Sequence, residues 1–166
     1  SLDESTRLGP LVSAAQRDRV MGFIEQGIQE GAEVVAGGPQ KPPFDKGYFV
    51  QPTILRVKAT DTLAKEEIFG PVLVIITYKD EAEAIRIAND SPFGLGAAVW
   101  TQDIDLGHRL AHQIQAGAVF INGMVASDPR LPFGGTKASG YGRELGMLGM
   151  HEFTNIKTVW RGPART

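Results

Sequence analysis

The sequence predicts an α/β protein. Residues 72–78 are almost continuously apolar and rich in β-branched types, which is how a strand covered on both faces reads. From there to Ile121, strand-like and helix-like segments alternate at the spacing of strand–helix–strand units, which implies right-handed crossovers and a parallel sheet. The 20 glycines and 10 prolines fall at segment boundaries, not in a low-complexity block, so the chain reads as folded with many tight connections.

Taken in order, residues 1–10 read as an arm or loop. Ser13 offers an N-cap, and Gln16 three positions on completes a capping-box pattern. Val20, Ile24 and Ile28 recur every four residues, with Met21 and Phe23 alongside, so an amphipathic helix runs to about Glu30. Gly31 is the natural stop. Residues 33–36 form a short strand, Gly37-Gly38-Pro39 turns the chain, and the proline-rich segment to Lys46 is loop. Residues 48–57 read as extended chain interrupted by Pro52, which favours an edge strand or two short pieces. After the strand at 72–78, Asp80 and Glu83 cap a helix to about Asn89 that buries Ala84, Ile87 and Ala88. Residues 96–101 are the next strand. Asp103 caps a helix to about Gln115 with Leu106, Leu110 and Ile114 on its inner face, and residues 118–121 close the alternation. Residues 123–142 carry little periodicity, and such a stretch is uncommon in a compact domain unless it is functional. A short helix over about 143–152 follows. The chain finishes in an extended run over 154–160, with Ile156, Thr158 and Trp160 on one side and no later element to cover it.

The totals narrow the function. At 166 residues the chain can bury a real core, and 42% hydrophobic with 22% charged residues is ordinary for a soluble globular protein. A net charge of −2 gives no basic surplus for nucleic acid or an anionic membrane. No apolar run approaches the ~18 residues that suggest a membrane span. The polar, acidic start is unlike a secretory signal, so a cytoplasmic protein is expected. Cysteine is absent, which removes disulfides, thiolate-bound zinc and any thiol nucleophile supplied by this chain.

Candidate chemistry centres on residues 64–71, Ala-Lys-Glu-Glu-Ile-Phe-Gly-Pro. Adjacent carboxylates, an aromatic and a Gly-Pro turn lead straight into an apolar strand, and open α/β sheets place ligands at strand ends. The alternative is a solvated charge pair at the start of a loop. Ser127, Asp128 and Arg130 form a second polar cluster that could equally be simple turn formers. His108 and His112 stand at i, i+4, but the glutamate of the zinc-protease pattern is missing, so an ordinary helix surface is favoured. Gly140-Tyr141-Gly142 is followed by Gly146, one place too late for a dinucleotide fingerprint, and no strand immediately precedes it.

The segment Lys65-Glu66-Glu67-Ile68-Phe69-Gly70-Pro71 resembles the nicotinamide-side motif of the aldehyde dehydrogenase superfamily. The likeness extends through residues 8–12, 47–53, 89–96, 116–122, 132–140 and 142–146, in order and at family-like spacing. Residues 121–129 and 151–160 look most like succinate-semialdehyde dehydrogenases. The resemblance implies that Glu67 hydrogen-bonds the nicotinamide ribose hydroxyls of NAD or NADP and that Phe69 packs near the nicotinamide. It implies that Phe133 lines the aldehyde tunnel, that Ser127 contacts the far carboxylate of a semialdehyde, and that Arg130 could assist. Residues 1–140 would be the C-terminal part of the catalytic domain. Residues 141–166 would hold the last helix and an oligomerisation strand of a homodimer or homotetramer. Family catalysis uses a cysteine thiolate that attacks the aldehyde, hydride transfer to the cofactor and a glutamate-activated water. With no cysteine, the chain is expected to be a fragment, inactive alone. The competing expectation is a non-catalytic module that pairs with a full-length dehydrogenase through residues 154–160.

Overall fold

The computed structural model describes residues 3–40 and 46–163; the loop expected through 41–45 lies outside the described residues. The chain divides into two compact units, residues 1–79 and 80–166. The α/β class holds in both, with parallel and antiparallel pairings together.

The first unit is built on α1 (Ala14–Gln29). Ser13 caps it in extended conformation, its hydroxyl accepting from the Gln16 amide, and Gly31 leaves the helix at φ +97°. The left-handed φ is why glycine serves there. Three strands follow: β1 (Glu33–Ala36), β2 (Thr53–Arg56) and β3 (Val72–Ile75). β1 pairs antiparallel with β2, with an irregularity between Val34 and Ala36, and β2 pairs parallel with β3. The apolar stripe of α1 covers this sheet, so Val20, Ile24, Val50, Leu55, Val57, Leu63 and Ile68 form one core.

Two expectations fail here. Pro52 does not force its segment to an edge, because the strand begins one residue later at Thr53 and lies between β1 and β3. The missing proline N–H therefore never falls in the ladder. Thr53, 2% exposed, makes the junction: its hydroxyl accepts from the Gly38 amide and donates to the Gln51 carbonyl. Gly37 is needed against it, since a Cβ would lie 2.0 Å from the Pro52 carbonyl oxygen. Second, β3 is an outer strand of the described sheet, and Leu73 is 58% exposed. The apolar run predicts burial on both faces, but only Val72, Val74 and Ile76 of it pack against the core.

The second unit contains α2 (Glu81–Asn89), β4 (Phe93–Gly94), β5 (Gly96–Val99), α3 (Ile104–Ala111), β6 (Ala118–Ile121), β7 (Thr136–Lys137) and α4 (Gly146–Glu152). Asp80 and Asp103 cap α2 and α3 through their carboxylates, as expected. β5 and β6 run parallel with α3 as the crossover. Gly107 lets α3 lie close on β6, because a Cβ would sit 2.8 Å from the Ile121 Cγ2. α3 ends at Ala111, short of Gln115, and Ala88 of α2 is exposed. α4 starts at Gly146, three residues later than expected, after Leu145 at φ +63°. The irregular stretch expected over 123–142 contains β7, which pairs antiparallel with β4. Residues 154–160 form no strand, and Ile156, Val159 and Trp160 are each more than 80% exposed.

Candidate functional site

The segment that carries Glu67 and Phe69 is the crossover from β2 to β3. A 3-10 turn (Thr62–Ala64) begins it and packs Leu63 onto α1 at Gly27. Glu30 at the helix end accepts from the Thr62 amide and hydroxyl and from Gln26, and these bonds hold its carboxyl below the usual glutamate range. Beyond the turn the chain alternates direction. Ile68 enters the core at 8% exposure, while Glu67 and Phe69 face outward, Phe69 at 73%. The loop meets β3 at its amino end. Its site is thus unlike the carboxyl-end position usual in open α/β sheets, because β2 and β3 run parallel and the crossover must return to the start of the next strand.

Phe69 has φ +52°, a conformation uncommon outside glycine and worth about 1–2 kcal/mol of strain. Several contacts hold it. Gln16 Nε2 donates to the Ile68 and Phe69 carbonyls at 3.1 and 3.0 Å. Arg19 donates from Nη1 to the Glu67 and Ile68 carbonyls at 3.2 and 3.0 Å, and from Nη2 to the Glu67 carbonyl. The Arg19 guanidinium also lies 4.7 Å from the centre of the Phe23 ring. Gly70 abuts Val20, and the Pro71 carbonyl accepts from the Thr53 amide. The Glu67 carboxylate has no partner among the described residues. An exposed, two-oxygen acceptor on a fixed loop beside an exposed ring is an arrangement that can receive a vicinal diol and a flat heterocycle.

Gln16 and Arg19 were missed as loop partners. The capping-box pattern at Gln16 holds for its amide, but its side chain goes to the loop instead of back to Ser13. Contacts across about fifty positions leave no local signal.

In the second unit, Ser127 is exposed and Phe133 half-buried. Phe133 and Glu144 exchange backbone hydrogen bonds at 2.7 and 2.8 Å. Phe133 then lines an open cleft of about 380 Å³ with Leu95, Tyr141, Arg143 and Phe153. Arg130 is not a free cation: its Nε and Nη2 donate to the two Asp128 carboxylate oxygens at 2.9 and 2.6 Å, and the Arg130 amide donates to the same group. These bonds hold the Asp128 carboxyl below its ordinary value and raise that of Arg130. The pair shapes a turn, which is the plainer of the two readings of that cluster. His108 and His112 are both exposed, and no group of three metal-ligating residues occurs among the described residues.

The profile described as the aldehyde dehydrogenase family matches residues 1–159. The chain belongs to the aldehyde dehydrogenase family. A betaine aldehyde dehydrogenase from Brucella anthropi is 49% identical over 96% of this chain and 33% of its own length, and one from Brucella melitensis is 48% identical. The aldehyde dehydrogenase of Mycobacterium tuberculosis, solved with NAD+, superposes with a TM-score of 0.88 at 49% identity, over 92% of this chain and 32% of that one. The NAD+ complex of the Bacillus cereus enzyme gives 0.90 at 47%, over 96% and 32%. The chain therefore spans about one third of the length of the relatives it matches.

Within this aldehyde dehydrogenase chain, several stretches that carry the family likeness act as connectors. The Asn89 side chain bridges the Gln113 carbonyl and Gln115 amide. Lys137 Nζ donates to the Asn89 and Ser91 carbonyls where α2 ends, and Ser139 Oγ accepts from the Gly94 amide. Gly117 has no room for a side chain, as a Cβ would fall 1.7 Å from the Gly134 carbonyl oxygen.

Proposed function

We propose that this chain is the part of an NAD(P)-dependent aldehyde dehydrogenase that supplies the nicotinamide-ribose side of the cofactor site and one wall of the aldehyde passage. The carrying observation is the crossover loop: Glu67 offered without a partner among the described residues, next to Phe69 held at φ +52°. When bound, the dinucleotide supplies the hydride acceptor. Glu67 accepts hydrogen bonds from the two ribose hydroxyls, Phe69 limits the positions open to the nicotinamide, and Phe133 keeps the aldehyde passage apolar. Ser127 offers a hydroxyl to the far end of the substrate. The NAD+ complexes of the Mycobacterium tuberculosis and Bacillus cereus relatives support NAD as the cofactor. The thiolate nucleophile comes from outside these residues, since the sequence has no cysteine.

Two aldehydes follow from different observations. The likeness of residues 121–129 and 151–160 points to succinic semialdehyde, an anion. The Brucella relatives are named for betaine aldehyde, a cation. The closed Asp128–Arg130 pair leaves Ser127 as the polar group open to an anionic tail in that turn. The exposed run over 154–160 supports pairing with the same run or sheet of another subunit.

The test is a hybrid in which this chain replaces the matching third of the Bacillus cereus enzyme, assayed for NADH with both aldehydes. Turnover is expected in the hybrid and none with the 166-residue chain alone. Glu67→Gln should raise the KM for NAD about tenfold, the loss of one charge-assisted hydrogen bond of about 1.4 kcal/mol. Hybrid kinetics untouched by both Glu67→Gln and Phe69→Ala would overturn the assignment.

A further inference from the structure

We propose that Asn122 is a positioning residue for the aldehyde passage: its side chain ends the β5–β6 ladder and turns the following segment back along β5, toward Ser127. The functional half deepens the Ser127 reading above and rests on it; the structural half does not.

β5 and β6 run parallel as far as the pair Val99 and Ile121, and the Asn122 amide adds one more rung to the Val99 carbonyl at 2.8 Å. In a parallel ladder the next rung would join the Thr101 amide to the backbone carbonyl of Asn122. Asn122 instead adopts φ +54°, which turns its main chain out of the ladder. The side chain takes over the rung: the Thr101 amide donates to Oδ1, and Nδ2 donates to the Thr101 carbonyl, both at 2.8 Å. A primary amide thus stands in for a peptide group. Asparagine suits both tasks, since it tolerates the left-handed region and carries an acceptor and a donor on one short stem. The Thr101 hydroxyl accepts from the Asp103 amide, so the reversal is also tied to the cap of α3.

That reversal decides where the next segment goes. Val125 comes back onto Gly96 at the start of β5, where a Cβ would lie 2.6 Å from the Val125 Cγ1. Three extended residues reach about 10 Å, and the strand from Gly96 to Val99 is about as long, so the return has little slack. Between Gly123 and Ser127 no backbone hydrogen bond holds the chain among the described residues. Beyond it, the Asp128–Arg130 turn and the Gly146 amide on the Pro129 carbonyl fix the far end. Ser127 therefore hangs between two anchors, and the near one is the Asn122 bridge with Val125 after it. Asn122 is exposed and Thr101 half-buried. Removing the bridge therefore leaves no buried polar group unpaired, and the unit should stay folded.

Two variants separate the bridge from the backbone conformation. Asn122→Gly keeps the left-handed φ and loses both bonds. Asn122→Asp keeps the shape but sets an oxygen against the Thr101 carbonyl. Amide-resolved hydrogen exchange of the 166-residue chain should show Thr101 about tenfold faster in Asn122→Gly, with the Val119 to Ile121 amides changed little. In the hybrid enzyme both variants should raise the KM for succinic semialdehyde about fivefold, the worth of one neutral hydrogen bond. The KM for propanal, which has no polar tail, and both kcat values should stay within about twofold. An unchanged Thr101 amide in Asn122→Gly would overturn the bridge. Equal rises in both KM values would mean general loosening and would remove the positioning role. So would faster exchange with neither KM moved, if Ser127→Ala still raises the KM for succinic semialdehyde. Should Ser127→Ala be silent as well, the functional half falls with the substrate reading, and the exchange alone decides the loop geometry.

Discussion

Gly70 gives the sharpest check on how the candidate loop is seated. It has no positive φ, so an alanine there suffers no backbone strain. Its cost is steric: a Cβ would lie 2.6 and 2.8 Å from the Val20 Cγ2 and Cγ1 atoms, and Val20 is fully buried. Overpacking of this kind costs about 1–3 kcal/mol, offset by about 0.4–1 kcal/mol from a stiffer unfolded chain. Gly70→Ala should therefore destabilise the first unit by about 1–2 kcal/mol. Val20→Ala removes two buried methyl groups and leaves a cavity, for about 2–3 kcal/mol. In the double variant the new methyl enters the space that Val20 vacates. The combined loss should then fall about 1–2 kcal/mol short of the sum, a coupling in the range seen for side chains in contact. The assay must read the first unit. Both tryptophans, Trp100 and Trp160, belong to the second unit, so fluorescence would follow the wrong half of the chain. Native-state exchange of the β2 amides reports the right one. Additivity within about 0.5 kcal/mol would refute the contact.

Two other measurements probe the second unit. Asp128 titrates below the ordinary aspartate value of 3.8 because Arg130 hydrogen-bonds its ionised form; its folded value is depressed, so the stabilisation is present above the unfolded value and is lost as pH falls through the folded one. An NMR titration should show that midpoint below 3.8, and Arg130→Ala should return it toward 3.8. For the exposed terminal run, replacing Ile156 and Trp160 with aspartate should shift the hybrid enzyme to a smaller species in sedimentation, and an unchanged assembly would sink the pairing role.

What was legible in the sequence was local. Ser13, Asp80 and Asp103 announced three helix starts because an N-cap is a contact over three residues. Strands β1, β5 and β6 fell where apolar runs met glycine or a helix stop. The neighbours of a strand were not legible. The run at 72–78 carried the composition of a buried strand, yet in the described sheet its Leu73 is open. Composition reports how much burial a strand could use, not which partner supplies it, and this chain is one third of the length of its relatives.

The candidate site shows the same division more finely. Glu67 and Phe69 stood out because a charged and aromatic pair beside Gly-Pro is unusual at a strand entrance. Nothing local indicated that Phe69 adopts a left-handed backbone, or that the side chains which hold it come from a helix fifty residues earlier. The glycine- and hydroxyl-rich stretch at 132–140 gives the converse case. It lies in the aperiodic run 123–142, whose length suggests function, and residues within it are fasteners: Thr136 and Ser139 hydrogen-bond Gly94, and Lys137 closes the end of α2. A sequence likeness therefore marks residues held in place for two different reasons. Phe133 opens that stretch on a backbone bridge to Glu144, with its ring on a cleft. The fasteners fix the loop, and from it Phe133 lines the cleft.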